Sequence, residues 1–171
     1  MKIFAPILIV GTLIGLLFST TKLYAQNDID IELTIEDYYC NNGLELDTCS
    51  YKPLYTELYR WINVPYRYAG NSFSGIDCSG LVKTIYKNVF NLSLTGGSRF
   101  IFNQVTPIES IDQLSEGDLL FFKIKRNQIS HIGIYLFNGY FIHSSVSKGV
   151  IISNLEEDYY KRHFYSGGRI N

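Results

Sequence analysis

Residues 130–146 read SHIGIYLFNGYFIHSSV. Two runs rich in β-branched and aromatic residues flank a short tip of turn residues, the pattern of a β-hairpin. Loop length sets its register, and register decides which side chains share a face. A two-residue Asn138–Gly139 turn would pair Ile134 with His143 and send His131 and His143 to opposite faces. A three-residue loop, Phe137-Asn138-Gly139, pairs Gly133 with His143 instead. Both histidines then lie on one face, diagonal to each other, with Gly133 leaving room between them. Gly139 would take the left-handed position such loops need. The three-residue loop is expected.

Further strands lie on both sides of this hairpin. EGD (116–118) marks a turn and LLFFKI (119–124) a strand. GVIIS (149–153) reads as another, and GGRI leads into a short last one. EEDYYKRHF (156–164) is helical or irregular, and GGSRFIFNQV (96–105) is ambiguous. Helices come first. In PLYTELYRWI (53–62), Leu54, Leu58 and Ile62 recur at steps of four behind a proline. From Ser79 onward, Leu81, Val82, Ile85, Tyr86 and Val89 keep helical spacing as far as Asn88–Asn91. VPYRYAGNSFSG (64–75) is extended and ends in turn residues. Helices followed by an antiparallel sheet make an α+β fold.

The second helix starts in GIDCSGLV (75–82). Asp77 is a good N-cap, so Cys78 falls in the first turn. Unpaired N–H groups and the helix dipole favour an anion there. That predicts a lowered thiol pKa and donors for an oxyanion. Gly75 and Gly80 leave room beside the sulfur. A buried small hydrophobe at a helix start would look the same in this octapeptide. A nucleophilic thiol needs a base. On the three-residue-loop register, His131 can accept the Cys78 proton, while His143 bonds its far nitrogen and fixes its tautomer. His163, within YYKRHF, reads as surface.

The 171 residues carry 15 Lys+Arg and 16 Asp+Glu, a formal charge of -1, which gives no footprint for a nucleic-acid partner. Lys2 precedes the apolar run IFAPILIVGTLIGLLF (3–18), and Leu23-Tyr24-Ala25 resembles a cleavage site. Residues 1–25 are therefore expected to be a signal peptide. Left uncleaved, the run would be a membrane anchor, the one membrane contact expected. Residues 26–52 read as an acidic, polar N-terminal extension, and 53–171 as the catalytic domain. Export allows disulfides. Cys40 and Cys49 flank a short polar segment and are expected to pair, leaving Cys78 as the odd thiol. No second Cys/His pair has zinc-finger spacing.

In order along the chain, VPYRYAGNSFSGIDCSGLV, EGDLLFF, SHIGIYL, YFIHSS and GVIIS together resemble the NlpC family of papain-like cell-wall peptidases. The likeness covers about residues 55–171 and is greatest to members with a single catalytic domain. The resemblance implies a papain-like α+β fold with the nucleophile helix packed on the antiparallel sheet. It implies Cys78 as nucleophile, His131 as general base and His143 as the third polar residue, with no metal or organic cofactor. Tyr66 matches a tyrosine beside the thiol. Asp77 and Ser79 match by position, as structural residues or as substrate or oxyanion contacts. The implied substrate is the peptide stem of peptidoglycan, in the periplasm or cell envelope. Where family members carry Pro-Arg after the nucleophile helix, this chain has Gly96-Gly97, so bond preference is not implied. Ser98 and Gln104 occupy the later places of that segment. Two other readings use the same scaffold, an acyltransferase working through Cys78 and His131 and a wall-binding domain without catalysis. No motif identifies a regulatory partner.

Overall fold

The computed structural model describes residues 28–125 and 127–170. The expected signal peptide lies outside these residues. Helix α1 covers 28–41 within them. It is followed by α2 (Lys52–Trp61), the short ribbon β1 (Asn71–Ser72) and β2 (Gly75–Ile76), and α3 (Cys78–Phe90). Next come α4 (Ser98–Phe102), β3 (Thr106–Ile108), β4 (Leu119–Phe122), β5 (His131–Tyr135), β6 (Tyr140–Ser145), β7 (Gly149–Asn154), α5 (Asp158–His163) and β8 (Phe164–Arg169). Strands β3 to β8 form one antiparallel sheet in the order β3-β8-β4-β5-β6-β7. This is the α+β fold expected from the sequence.

Parity along the strands divides the sheet into two faces. Leu119, Phe121, Ile132, Ile134, Ile142 and Val150 are fully buried in the core that contains α2 and α3. Leu120, Phe122, Tyr135 and Phe141 form a second cluster on the other face with Tyr160 of α5. Side chains tie the layers together. Tyr86 of α3 donates to the Gly117 carbonyl at 2.6 Å. Buried Asp118 accepts two bonds from Arg169, at 2.8 and 2.6 Å, joining the start of β4 to the end of β8. Glu57 of α2, also buried, accepts from Trp61, Asn88 and Arg60, which locks α2 to α3.

The hairpin has the three-residue loop. Ile134 pairs with Ile142 and Tyr135 with Phe141. Leu136 and Tyr140 close the loop, with N–H to carbonyl distances of 2.9 Å from Leu136 to Tyr140 and from Tyr140 to Phe137. Asn138 and Gly139 both take positive φ, 51° and 81°.

Residues 28–50 are less of an appendage than their polarity suggests. Ile35, Tyr39 and Leu44 enter the main core, and the Tyr39 hydroxyl donates to the Tyr55 carbonyl at 3.0 Å. The expected Cys40–Cys49 bridge is not formed; both are free, exposed thiols. Other contacts hold this segment. The Asp47 carboxylate collects the N–H groups of Cys49 and Ser50 at 2.8 and 2.9 Å, closing the turn without a covalent link. Among the described residues no helix is long and apolar enough to cross a membrane.

Candidate active site

The start of α3 is built by its cap. Asp77 Oδ1 accepts from the Gly80 N–H at 2.6 Å and the Ser79 hydroxyl at 2.8 Å, and Oδ2 accepts from the Ala69 N–H at 2.9 Å. One carboxylate thus satisfies an orphan helix donor and anchors the preceding loop. A Cβ on Gly80 would sit 2.4 Å from the Gly70 carbonyl oxygen. Its glycine serves close backbone packing, not the substrate access expected from sequence. The Gly75 Cβ position is likewise filled, by the Arg67 side chain at 2.5 Å. The segment before the helix is pinned to the sheet. Ser144 of β6 donates to the Ile76 carbonyl at 2.8 Å, and Val150 of β7 donates to the Val64 carbonyl at 2.9 Å.

These ties bring the start of α3 to the start of β5. The Cys78 sulfur there interacts with the backbone N–H groups of Ile132, Ser79 and Cys78 itself. Ile132 directly follows His131. Cys78 and His131 line one cleft of about 550 Å³ with Tyr66, Lys125, His143, Lys148, Ser153, Glu157, Tyr159 and Tyr160.

His131 Nε2 lies 2.9 Å from His143 Nδ1, with the rings nearly perpendicular at 89°. Gly133 sits opposite His143, and a Cβ there would lie 2.9 Å from both the Ile142 oxygen and the Phe141 ring. The far nitrogen of His143, Nε2, meets the Tyr160 hydroxyl at 3.0 Å and Ser153 Oγ at 3.2 Å. A chain of bonded groups therefore runs from His131 through His143 to Ser153 and Tyr160, in the cleft that Cys78 also lines.

Electrostatics reverse one sequence expectation. Burial, followed by the Asp77 carboxylate, pushes the Cys78 thiol up to about 11, and the three N–H groups only partly oppose this. The dipole at the helix start does not outweigh removal of the sulfur from water. Burial also lowers His131 to about 4 and holds His143 well below the ordinary imidazole value, with His131 adding to the effect. Thiol and imidazoles all rest neutral near pH 7. Burial, then Cys78, raises the Tyr66 phenol, so Tyr66 faces the cleft as a protonated donor.

Four of the six sequence candidates, Cys78, His131, His143 and Tyr66, meet in the cleft. Asp77 and Ser79 do not line it. The Asp77 carboxylate and the Ser79 hydroxyl are engaged in the helix cap, while the Ser79 N–H stays turned to the Cys78 sulfur. Gln104 closes its own loop onto the Thr95 and Phe100 carbonyls at 2.9 Å and also lies outside the cleft. Half-buried His163 bonds the Tyr159 carbonyl. Sequence reasoning missed Ser153 and Tyr160, and also Lys125 and Lys148. Carrying the hairpin's alternation into GVIIS would have put Ser153 beside His143. Nothing in EEDYYKRHF marks which tyrosine turns inward.

Residues 63–169 match the NlpC/P60 family. Over 115 residues the chain is 40% identical to the "Probable endopeptidase NlpC" of Escherichia coli K12, covering 67% of this chain and 74% of that protein. Over 112 residues it is 37% identical to the "Murein DD-endopeptidase MepS/Murein LD-carboxypeptidase" of the same organism, covering 64% of this chain and 57% of that relative. Among solved structures, an NlpC/P60 family protein from Bacillus cereus superposes with a TM-score of 0.64 at 26% identity, over 73% of this chain and 41% of that one.

Proposed function

The chain belongs to the NlpC/P60 family, and from that premise we propose that it is a thiol-dependent endopeptidase hydrolysing amide bonds in the peptide part of peptidoglycan. One observation carries the reading. A helix-start cysteine meets the first residues of β5, where His131 has its far nitrogen held at 2.9 Å by a second imidazole.

Cys78 is the nucleophile and His131 its base. The resting pair is neutral, so His131 takes the thiol proton as the sulfur closes on the substrate carbonyl, and a carbon–sulfur bond forms. The N–H groups at the start of α3, joined by the Tyr66 hydroxyl, receive the oxyanion. His131, now protonated, gives its proton to the leaving amine as the amide bond breaks. Water, deprotonated by His131, then attacks the thioester. The acid is released and the thiol restored.

The murein DD-endopeptidase named above supports the cross-link between stems as the bond cut. Residues 1–25 act as a signal peptide, 26–52 as an N-terminal extension and 53–171 as the catalytic domain, and the protein works in the periplasm or cell envelope. None of the described residues 28–50 lines the cleft, which supports a role for that segment outside substrate access.

The test is digestion of purified sacculi and defined muropeptides, read by mass spectrometry beside Cys78→Ser. New products from the native protein alone support the reading, and their masses name the bond. An inert native protein whose Cys78 also resists acylation by a peptide thioester would overturn it.

A further inference from the structure

His131 can accept a proton from the thiol only if the proton of its own neutral ring sits elsewhere. Its Nε2 faces His143 at 2.9 Å, leaving Nδ1 for the thiol. Across that contact only one of the two rings can donate. If His143 donates from Nδ1, neutral His131 carries its proton on Nδ1 and has no lone pair for Cys78. If His131 donates from Nε2, its Nδ1 is a free base. His143 must then carry its proton on Nε2 and needs an acceptor there.

Two buried hydroxyls stand at that nitrogen, Tyr160 at 3.0 Å and Ser153 at 3.2 Å. A hydroxyl oxygen carries two lone pairs, so either hydroxyl can take the His143 N–H. They arrive from separate elements, Ser153 from β7 and Tyr160 from α5, and neither was placed by the register of the histidine hairpin. Leaving a buried N–H without a partner is costly, so these two oxygens weigh directly on where the imidazole protons sit.

We propose that Ser153 and Tyr160 are positioning residues that accept the His143 Nε2 proton and so set both imidazoles in the Nε2–H tautomer, keeping His131 Nδ1 basic toward Cys78. The catalytic consequence rests on the peptidase reading, but the tautomer assignment does not.

The experiment uses the whole protein labelled with ¹⁵N-histidine. Two-bond nitrogen–proton correlation spectra identify the protonated nitrogen of each ring in the native protein, in Ser153→Ala/Tyr160→Phe and in Ser153→Thr. The native protein and Ser153→Thr should show Nε2–H on His131 and His143. The double variant should move both to Nδ1–H while its other amide resonances stay in place. On a muropeptide substrate, kcat of the double variant should fall on the order of 100-fold with KM within about twofold, and Ser153→Thr should retain kcat. A native Nδ1–H on either ring, or Nε2–H retained in the double variant, overturns the proposal. Expected tautomers in a protein that cleaves no muropeptide would support the assignment and count against the peptidase reading alone.

Discussion

On the face of the sheet turned toward α3, strands β4 to β7 present Phe121, Ile132, Ile134, Ile142 and Val150, all apolar and fully buried. One residue along, the same strands present His131, Gly133, His143 and Ser153 among Phe122, Phe141 and Tyr160. The first face gains stability from area removed from water. The second spends its burial differently. Aromatic rings strip water from two imidazoles and keep them neutral, and both nitrogens of His143 find partners. Cys78 comes from the α3 side and His131 from the other, and they meet at the first residues of β5. One sheet thus separates holding the fold from holding the chemistry.

Substitutions on the two faces should therefore fail in different ways. The largest effect expected is from Cys78→Ser at the junction, with hydrolysis falling by at least about 1,000-fold and the unfolding midpoint nearly unchanged. Calorimetry beside the digestion assay checks this, and a large loss of stability would mean the sulfur is a core residue. Next is Ile134→Ala on the apolar face. It should cost about 3–4 kcal/mol in urea titrations, with activity per folded molecule within about threefold of native. A collapse of activity without loss of stability would break the division between faces.

Acid should act through the histidine face. His131 is lowered to about 4 by burial, whereas an unfolded histidine titrates near 6.5. Between those values the unfolded chain binds a proton that the folded one refuses. Stability is thus full above pH 6.5 and is lost as pH falls toward 4, by about 3 kcal/mol for His131 alone. His143, shifted the same way, adds to the loss. Urea titrations at pH 7, 5.5 and 4 measure it, and a flat profile would mean the imidazoles are already charged.

Thiol chemistry gives a smaller contrast. With Cys78 raised to about 11 from 9.0, its thiolate fraction near pH 7.5 is about 100-fold below that of an unshifted thiol. Iodoacetamide should modify exposed Cys40 and Cys49 first, with Cys78 trailing far behind in peptide mapping. Equal rates would indicate a standing thiolate. The smallest effect expected is from Asp77→Ala. Loss of the cap should lower stability by about 1–2 kcal/mol, with kcat reduced less than by any change at His131.

The hairpin's loop length was legible because Phe-Asn-Gly offers its left-handed positions to Asn138 and Gly139, and that choice alone put both histidines on one face. The cap at Asp77 was legible for a similar reason, since it acts within three residues of itself. The α1 contribution to the core was not. Ile35 and Tyr39 are too sparse among acidic neighbours to show a stripe, and only packing in the core with α2 reveals their purpose. Strand β3 was hidden because it pairs with β8, about 60 residues away, and its own three residues carry little strand signal.

The sequence by itself determined the α+β order, the nucleophile and base candidates and the face they share, because each follows from local spacing and residue chemistry. Only the tertiary structure decided that the capping Asp77 also anchors the loop at Ala69, that Ser153 and Tyr160 close the histidine network, and that the thiol is raised instead of lowered. Each of these turns on how much water the surrounding elements exclude and on which distant groups they bring within hydrogen-bond reach. Those are properties of packing between elements, and no stretch of sequence carries them alone.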